Sequence, residues 1–353
     1  MKQQKSKTIF IVARQAGTAN AFIPLLEELK GSNFNVKTFA FTHAHNIFAA
    51  NKKASTLIEN FDDFLLGNLP KPSFLLTGTS EYADEDHLFW QWAKQQGITS
   101  LAFVDSWIFY WQRFTPGNPG WSRFSYAPDF IAVIDQLMFD RMVESGCEKK
   151  PLIITGNPAF DGLRSFVSLK REEIVGKYGE DYFLFIGEPF NERVFGGQDK
   201  ETLGYTEAEV LRLAADALEM LERPGCKLVF LPHPRGRHPE EVHSIINCHS
   251  SIVLGGGEFT SRDLMACAKL VVGMTSMSLF EASVMGVPII SLQPNGKLSS
   301  DLINSSRKIT IVRILDTDEV CQEMKKVLST SPDLMPTIKS TLFKDICHML
   351  VGD

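Results

Sequence analysis

The chain has 353 residues, more than twice a typical domain of ~150, so two domains with separate cores are expected. Hydrophobic residues make up 44% of the sequence and charged residues 22%, a globular composition that excludes a disordered chain. The net charge of -6 provides no general attraction to nucleic acid or anionic lipid. Polyanion binding is therefore disfavoured as the main activity, and no nucleic-acid partner is expected.

The cysteines and the apolar segments bear on where the protein is found. Six cysteines are scattered without a CxxC pair, which is typical of reduced structural thiols. The apolar run from Ile9 to Ala13 is cut by Arg14 and is too short for a secretory signal. The apolar stretch from Leu270 to Leu292 is broken by glycine and proline, which predicts strand, helix and strand. We therefore expect a cytoplasmic protein without a transmembrane segment.

Short β-rich runs alternate with helical stretches along the whole chain, which predicts parallel α/β sheets. The strands predicted in the first half are Thr8–Val12, Val36–Phe41, Ser73–Leu76, Ser100–Val104, Phe130–Ile134 and Leu152–Thr155. Those in the second half are Tyr182–Ile186, Lys227–Leu231, Ser251–Leu254, Leu270–Val272, Pro288–Leu292 and Ile309–Val312. The clearest predicted helices are Ala19–Lys30, Asp86–Gln96 and Thr206–Glu222. The pattern predicts two tandem Rossmann-like, doubly wound domains.

The domain boundary is expected near residue 165, where the turn cluster Gly156-Asn157-Pro158 leads into the charged helical segment Ser168–Lys177. We predict an N-terminal acceptor-side domain at 1–164, a C-terminal donor domain at 165–335, and a C-terminal helix in 336–353 that can pack back on the first domain. Ligands of doubly wound sheets bind outside the carboxyl ends of the strands. A cleft between two such domains facing one another is thus the expected active site.

One candidate site follows the predicted strand at 227–231, where His233 stands between two prolines and is followed by Arg235 and Arg237. A histidine at a strand end can donate to a phosphate oxygen or a leaving group, and arginine forks suit phosphate. The alternative is a turn with solvated arginines. The rigid prolines, including Pro234, favour a functional role for His233 more than for the arginines.

A second candidate site lies between the strand at 270–272 and the next helix. Its polar and small residues are Gly273, Thr275, Ser276, Ser278 and Glu281. Ser278 and Glu281 have capping-box spacing and Gly286 can end the helix, so the helix is expected to begin here. Hydroxyl and free N–H groups at a helix start bind phosphate readily. Because a cap would explain only one of the three hydroxyls, we predict a phosphate site.

The first half carries polar loops after two consecutive strands. Gly78, Thr79, Ser80 and Glu81 follow one strand, and Asp105 and Trp107 follow the next. A carboxylate directly after an apolar strand is costly to bury, so Asp105 is either hydrogen-bonded structurally or held for chemistry. The acidic run at 81–86 lacks metal-ligand spacing and indicates a helix start, with residues 84–86 as a solvated cap.

Two further features of the sequence are less specific. Gly17 and Thr18 lie between a strand and a helix but lack the GxGxxG fingerprint, so only a tight turn is indicated. The aromatic run from Trp107 to Tyr126 is either packing or a platform for an acceptor sugar. The sequence contains none of the motifs Walker A, HExxH and GxSxG, and its Cys and His residues are not clustered. It therefore does not support a P-loop protein, a zincin, an α/β-hydrolase or a zinc protein.

Taken in order, these motifs resemble the GT-B glycosyltransferase superfamily. The His-Pro segment at 233–234 and the hydroxyl pair at 275–276 are similar to those of bacterial sialyltransferases and related capsule glycosyltransferases. The segment Thr155-Gly156-Asn157-Pro158-Ala159-Phe160-Asp161 and the overall frame are similar to the UDP-N-acetylglucosamine 2-epimerases. The resemblance implies that His233, Thr275 and Ser276 bind the donor's nucleotide phosphate. It also implies that Asp105 takes the place of the first-domain carboxylate.

The resemblance divides the candidate residues into two sets. The donor side comprises Gly187, His233, Pro234, Arg235, Gly273, Thr275, Ser276, Ser278 and Glu281. The acceptor side comprises Gly17, Thr18, Gly78, Thr79, Ser80 and Trp107. The epimerase motif His-Val-Glu-Ala-Gly is here Phe103-Val104-Asp105-Ser106-Trp107, and the epimerase Ser-Gly-Gly loop is Thr275-Ser276-Met277. These two departures count against hydrolytic epimerisation.

The resulting hypothesis is a metal-independent glycosyltransferase that moves a sugar from a nucleotide donor to a hydroxyl of a surface glycan or its precursor. Asp105 would be the base, and His233 and the helix start at 275 would stabilise the leaving phosphate. The nucleotide sugar is a substrate, so no cofactor is expected, and a lipid-linked acceptor would bring the enzyme to a membrane surface. The alternatives are a 2-epimerase or hydrolase, in which Glu81 would join Asp105, and a non-catalytic sugar-nucleotide binder.

Overall fold

The computed structural model describes residues 6–67, 69–80, 85–115, 123–147, 151–188, 203–233, 240–296, 310–313, 316–330 and 339–351. The chain forms two compact units, one of Met1–Asp161 with Thr337–Asp353 and the other of Gly162–Pro336. Within the described ranges, no helix has both the length and the hydrophobicity needed to cross a membrane.

The first unit is built on a seven-stranded parallel sheet with the order β3-β2-β1-β4-β5-β6-β7. Its strands are β1 (Thr8–Ala13), β2 (Asn35–Ala40), β3 (Thr56–Leu57), β4 (Phe74–Thr77), β5 (Thr99–Phe103), β6 (Phe130–Val133) and β7 (Leu152–Ile154). The connecting helices are α1 (Ala16–Lys30), α2 (Thr42–Ala50), α3 (Phe61–Leu66), α4 (Asp86–Gln95) and α5 (Gln136–Glu144). The chain reverses direction across the sheet between β1 and β4, the switch point at which ligands of this architecture bind.

The second unit repeats the architecture with a six-stranded parallel sheet, β10-β9-β8-β11-β12-β13. Its strands are β8 (Tyr182–Ile186), β9 (Lys227–Leu231), β10 (Ile252–Leu254), β11 (Leu270–Gly273), β12 (Ile289–Leu292) and β13 (Thr310–Val312). Its described helices are α6 (Arg171–Tyr178), α7 (Glu207–Met220), α8 (Glu240–Cys248), α9 (Ser261–Cys267), α10 (Met277–Val284) and α11 (Thr317–Ser329). Here the switch point lies between β8 and β11.

The central strands explain why parallel sheets form. Every residue of β8 is buried, and so are five of the six residues of β1, which is expected of strands covered by helices on both faces. Helix α7 begins at a capping box in which Thr206 accepts from the Glu209 N–H and the Glu209 carboxylate accepts from the Thr206 N–H. The predicted doubly wound α/β architecture is confirmed.

The last described helix, α12 (Leu342–Val351), belongs to the first unit. Two hydrogen bonds from backbone N–H groups hold its start. The Thr341 N–H donates to the Thr155 carbonyl at 2.8 Å, and the Ser340 N–H donates to the Asp161 side-chain carboxylate at 3.0 Å. Asp161 lies at the end of the segment that follows β7. The start of the helix therefore lies close to the carboxyl edge of the first sheet, whereas its last turn accepts a hydrogen bond from Lys7, just before β1.

Candidate functional site

In the first unit, Asp105 lies two residues after β5, and its carboxylate points towards the start of α1. The Thr18 hydroxyl is 3.4 Å from Asp105 Oδ2, a long hydrogen bond. A Cβ atom at Gly17 would lie only 2.3 Å from the same carboxylate oxygen. Glycine is therefore required at position 17 for this carboxylate to approach the helix. The structure thus brings together Gly17, Thr18 and Asp105.

Arg113 is a functional candidate that the sequence reasoning missed. Its side chain is buried, and Nη1 is 3.2 Å from Asp105 Oδ1. The same nitrogen donates to Thr79 Oγ1 at 3.0 Å, and Nε donates to the Ile108 carbonyl at 3.0 Å. The guanidinium thus joins the loops that follow β4 and β5. Arg113 is the only basic residue between positions 105 and 115, a signal that could have identified it.

The loop after β4 packs against this ion pair. Thr79 is buried, and its hydroxyl donates to the Phe103 carbonyl at 3.3 Å while accepting from Arg113. A Cβ atom at Gly78 would lie 2.3 Å from the Thr18 side chain, so glycine is needed for the close approach of this loop to α1. Gly78 and Thr79 therefore lie in the same cluster as Asp105.

Ser80 has a different partner. Its backbone N–H donates to Asp86 Oδ2 at 2.6 Å, and its hydroxyl donates to the same oxygen. Asp86 is the first residue of α4, as the acidic run predicted, but it is 3% exposed. The expectation of a solvated cap is therefore wrong at Asp86, because the carboxylate is buried against Ser80. Glu81 and Asp84 lie outside the described residues.

Trp107 lies in the core of the first unit. It is 1% exposed, and its indole N–H donates to Asp135 Oδ1 at 2.9 Å. Asp135 also accepts from the Met138 N–H at the start of α5. The indole stacks on Phe160 with an interplanar angle of 3°. Of the two interpretations of the aromatic run, packing describes this side chain, so the acceptor-side assignment of Trp107 is corrected.

In the second unit, the Glu188 carboxylate occupies the start of α10. Oε1 accepts hydrogen bonds from the N–H groups of Met274 at 2.9 Å, Thr275 at 2.7 Å and Ser276 at 3.0 Å. Oε2 accepts from the Thr275 hydroxyl at 2.6 Å. The N–H groups expected to be free for phosphate are therefore engaged by a side chain of the protein itself. Glu188, two residues after β8, was not among the candidates from the sequence.

Burial acts against ionisation of this carboxylate. It raises the pKa of Glu188 from 4.5 to about 7, while the hydrogen bonds from residues 274–276 favour the charged form. In the described part of the chain, the hydrogen-bond donors to the Glu188 carboxylate are all uncharged. Glu188 thus differs from Asp105, which has an arginine partner.

The peptide that supplies these N–H groups is held from its other side. The Met274 carbonyl accepts from the Ser291 hydroxyl at 2.6 Å and from Gln293 Nε2 at 3.2 Å. Gln293 also donates to Ser291 Oγ at 2.9 Å, and both side chains are buried on or just after β12. The cradle formed by the N–H groups of residues 274–276 is therefore fixed by β12.

Two local predictions about α10 need correction. The N-cap is Ser276, whose side chain accepts from the Ser278 N–H at 3.2 Å, so Ser278 lies inside the helix. Glu281 does not complete a capping box, because its carboxylate forms a two-point ion pair with Arg262 of α9 at 2.9 and 3.1 Å. Gly286, with φ of +80°, ends the helix as predicted.

Gly187 and His233 lie side by side at the carboxyl ends of β8 and β9. The Gly187 N–H donates to the Leu231 carbonyl at 2.9 Å, and a Cβ atom at Gly187 would lie 2.9 Å from that oxygen and 3.3 Å from the His233 nitrogen. Gly273 is the last residue of β11, beside β8. Pro234, Arg235 and Arg237 lie outside the described residues.

Comparisons with known proteins find the same fold over nearly the whole chain. UDP-GlcNAc 2-epimerase from Methanocaldococcus jannaschii, in complex with UDP-GlcNAc and UDP, has a TM-score of 0.71 at 12% identity and covers 98% of this chain and 100% of its own. The Neisseria meningitidis UDP-GlcNAc 2-epimerase bound to UDP-GlcNAc has a TM-score of 0.67 at 10% identity, covering 98% and 100%. HepE from Anabaena, in complex with UDP and glucose, has a TM-score of 0.64 at 10% identity, covering 99% and 100%.

These identities establish the fold alone. No protein-family model matches the sequence, and no curated protein matches it significantly. The expected GT-B-type fold, with two Rossmann-like units, is confirmed by the structural matches.

Proposed function

We propose that this protein is an enzyme acting on a nucleotide-activated sugar. The observation that carries the proposal is the Asp105–Arg113 ion pair, which contacts Thr18 and Thr79 after the two switch-point strands β1 and β4. Nearly the whole chain shares its fold with proteins that hold UDP-sugars. Polar groups at a switch point are the usual ligand contacts of such sheets. The nucleotide would bind on the second unit, with His233 donating to a phosphate oxygen.

The reaction that the likeness favours is epimerisation at carbon 2 of the sugar, because several of the similar structures are UDP-GlcNAc 2-epimerases. Epimerisation needs an acid and a base on opposite faces of the ring. Asp105 would be one of these groups, because its ion pair with Arg113 and the approach of the Thr18 hydroxyl fix its carboxylate at the carboxyl edge of the sheet. Glu81 is the proposed second group.

Glycosyl transfer is the second candidate, and two observations favour it. Anabaena HepE has been captured with UDP-glucose and also with UDP and glucose together. The segment at 103–107 lacks the His, Glu and Gly of the epimerase motif His-Val-Glu-Ala-Gly and has Phe103, Asp105 and Trp107 in their places. In this reaction Asp105 would accept the proton of the acceptor hydroxyl, and His233 would stabilise the leaving phosphate.

The test is incubation of the full chain with a panel of UDP-sugars in D2O, with and without glycan acceptors. Epimerisation predicts an altered sugar carrying deuterium at carbon 2 without an acceptor. Transfer predicts UDP release and a new glycoside only when an acceptor is present. Binding without turnover would leave the third interpretation, a non-catalytic binder. Asp105→Asn is the matched control, since activity that belongs to this site should fall sharply in that variant.

A further inference from the structure

The Glu188 carboxylate shows that the start of α10 accepts an oxyanion. Three backbone N–H groups converge on one carboxylate oxygen, and the Thr275 hydroxyl binds the other. A phosphate group offers the same chemistry to such a set of donors, namely oxygen atoms that carry negative charge and accept several hydrogen bonds. The helix dipole favours both anions.

The cradle is built independently of Glu188. The Met274 peptide is fixed through its carbonyl oxygen by Ser291 and Gln293, two buried residues of another part of the sheet. Ser276 caps α10 with its own hydroxyl, which does not depend on Glu188. The N–H groups should therefore keep their orientation when the carboxylate is absent.

The main chain at Glu188 is also held in place. The Gly187 N–H donates to the Leu231 carbonyl at 2.9 Å, and the Glu188 N–H donates to Glu207 Oε1 at 2.9 Å. Glu207 is itself buried at the start of α7. Rotation of the Glu188 side chain would therefore empty the cradle while the main chain of Gly187 and Glu188 keeps its hydrogen bonds.

We propose that Glu188 is an internal competitor of phosphate: its carboxylate and a ligand phosphate exclude one another at the N–H groups of residues 274–276. The proposal rests on the proposed function in taking the diphosphate of a nucleotide sugar as the natural ligand. Two anions sharing these donors would lie within a few ångströms of one another in a buried site, where like charges repel strongly. The nucleotide reaches the cradle only when the Glu188 side chain has rotated out, so its apparent affinity is reduced by the fraction of molecules in the closed state.

The experiment measures binding of inorganic phosphate and of UDP, each by calorimetry, to the full-length protein. Glu188→Ala empties the cradle, and Glu188→Gln keeps the shape of the side chain without its charge. Glu219→Gln is the control, because it removes the same charge at an exposed position of the same unit. Thermal unfolding checks that each variant is folded. Thr275→Val, added to Glu188→Ala, tests whether the gained site includes the Thr275 hydroxyl.

We expect Glu188→Ala to bind phosphate and UDP at least tenfold more tightly than the wild type and the control, and part of that gain to be lost with Thr275→Val. Unchanged or weaker binding of phosphate would overturn the competition. If the alanine variant does not fold, the glutamine variant decides, a gain of threefold or more supporting the proposal and no gain overturning it. A gain for phosphate with no UDP binding in any variant would remove the nucleotide-sugar proposal while the competition at residue 188 stands.

Discussion

The two units place a carboxylate in similar positions and surround it differently. Asp105 follows β5 and approaches the start of α1, and Glu188 follows β8 and occupies the start of α10. Asp105 is paired with the Arg113 guanidinium at 3.2 Å, whereas the described donors to the Glu188 carboxylate are uncharged N–H and O–H groups. An acid at a strand end that faces a helix start thus has a charged donor in one unit and uncharged donors in the other.

The difference separates two uses of an acidic side chain. Asp105 is held by its ion pair with Arg113 at a strand end, a fixed position that suits a general base. Burial raises the pKa of Glu188 to about 7, although its hydrogen-bond donors act in the opposite direction, so its charge changes near neutrality. We therefore place chemistry at Asp105 and control of anion binding at Glu188.

The largest effect is expected at Asp105. Asp105→Asn keeps the size of the side chain but removes the base, so turnover should fall roughly 10²–10⁴-fold while UDP affinity stays close to that of the wild type. The measurement is kcat on the best substrate of the panel, with the UDP dissociation constant alongside. A stable and fully active variant would move the base to Glu81. A parallel loss of Tm and UDP binding would make Asp105 structural.

The next effect tests what Arg113 does for Asp105. Arg113→Met leaves the Asp105 carboxylate without its charged partner, and the free energy of unfolding should fall by about 3–5 kcal/mol. Urea denaturation measures this change. Arg141→Met is the matched control, because Arg141 forms an exposed pair with Glu144, where a change of at most ~1 kcal/mol is expected. Equal losses of unfolding free energy in the two variants would show that the buried pair stabilises the protein no more than the exposed pair does.

The third effect concerns the protonation of Glu188. Its pKa is about 7 in the folded protein and 4.5 when unperturbed, so the native state binds more protons between these values. Its contribution to stability is complete below pH ~4.5 and is lost as pH rises to ~7, by on the order of 3 kcal/mol. The free energy of unfolding, measured by urea titration across this range, should therefore fall more steeply with pH in the wild type than in Glu188→Gln. A constant difference between the two proteins would contradict the shift.

The sheets were predictable from the sequence where strands are apolar on both faces. The predicted and observed limits of β8, Tyr182–Ile186, coincide because every residue of the strand is buried. Strand β3 was missed because its two residues, Thr56 and Leu57, are both exposed and show no pattern. Local apolar runs therefore define central strands, and edge pairing depends on contacts that the sequence does not display.

The candidate sites were predictable only in part. Asp105 was found because it follows an apolar strand directly, and Glu188 carries nearly the same signal one glycine after β8. Arg113 was missed because its contact with Asp105 depends on the path of an irregular loop. The capping position at Ser276 instead of Ser278 depends on where the first helical turn closes, which capping-box spacing alone does not determine.

The smallest effect is expected at His233, and it tests anion binding in the second unit, beside Glu188. His233 follows β9 and lies against Gly187, which follows β8 and directly precedes Glu188. If a nucleotide phosphate binds near the start of α10, His233 should therefore be one of its donors. His233→Ala would remove one charge-assisted hydrogen bond and should weaken UDP binding by roughly 1.5–3 kcal/mol with the fold intact. Calorimetry with UDP measures the change, and His243→Ala on α8 is the control variant.

The double variant with Glu188→Ala tests whether His233 and the N–H groups of residues 274–276 bind the same phosphate. If they do, His233→Ala should cost more UDP affinity in the Glu188→Ala background, because the phosphate then lies between both sets of donors. Independent, additive effects would place His233 outside the phosphate site.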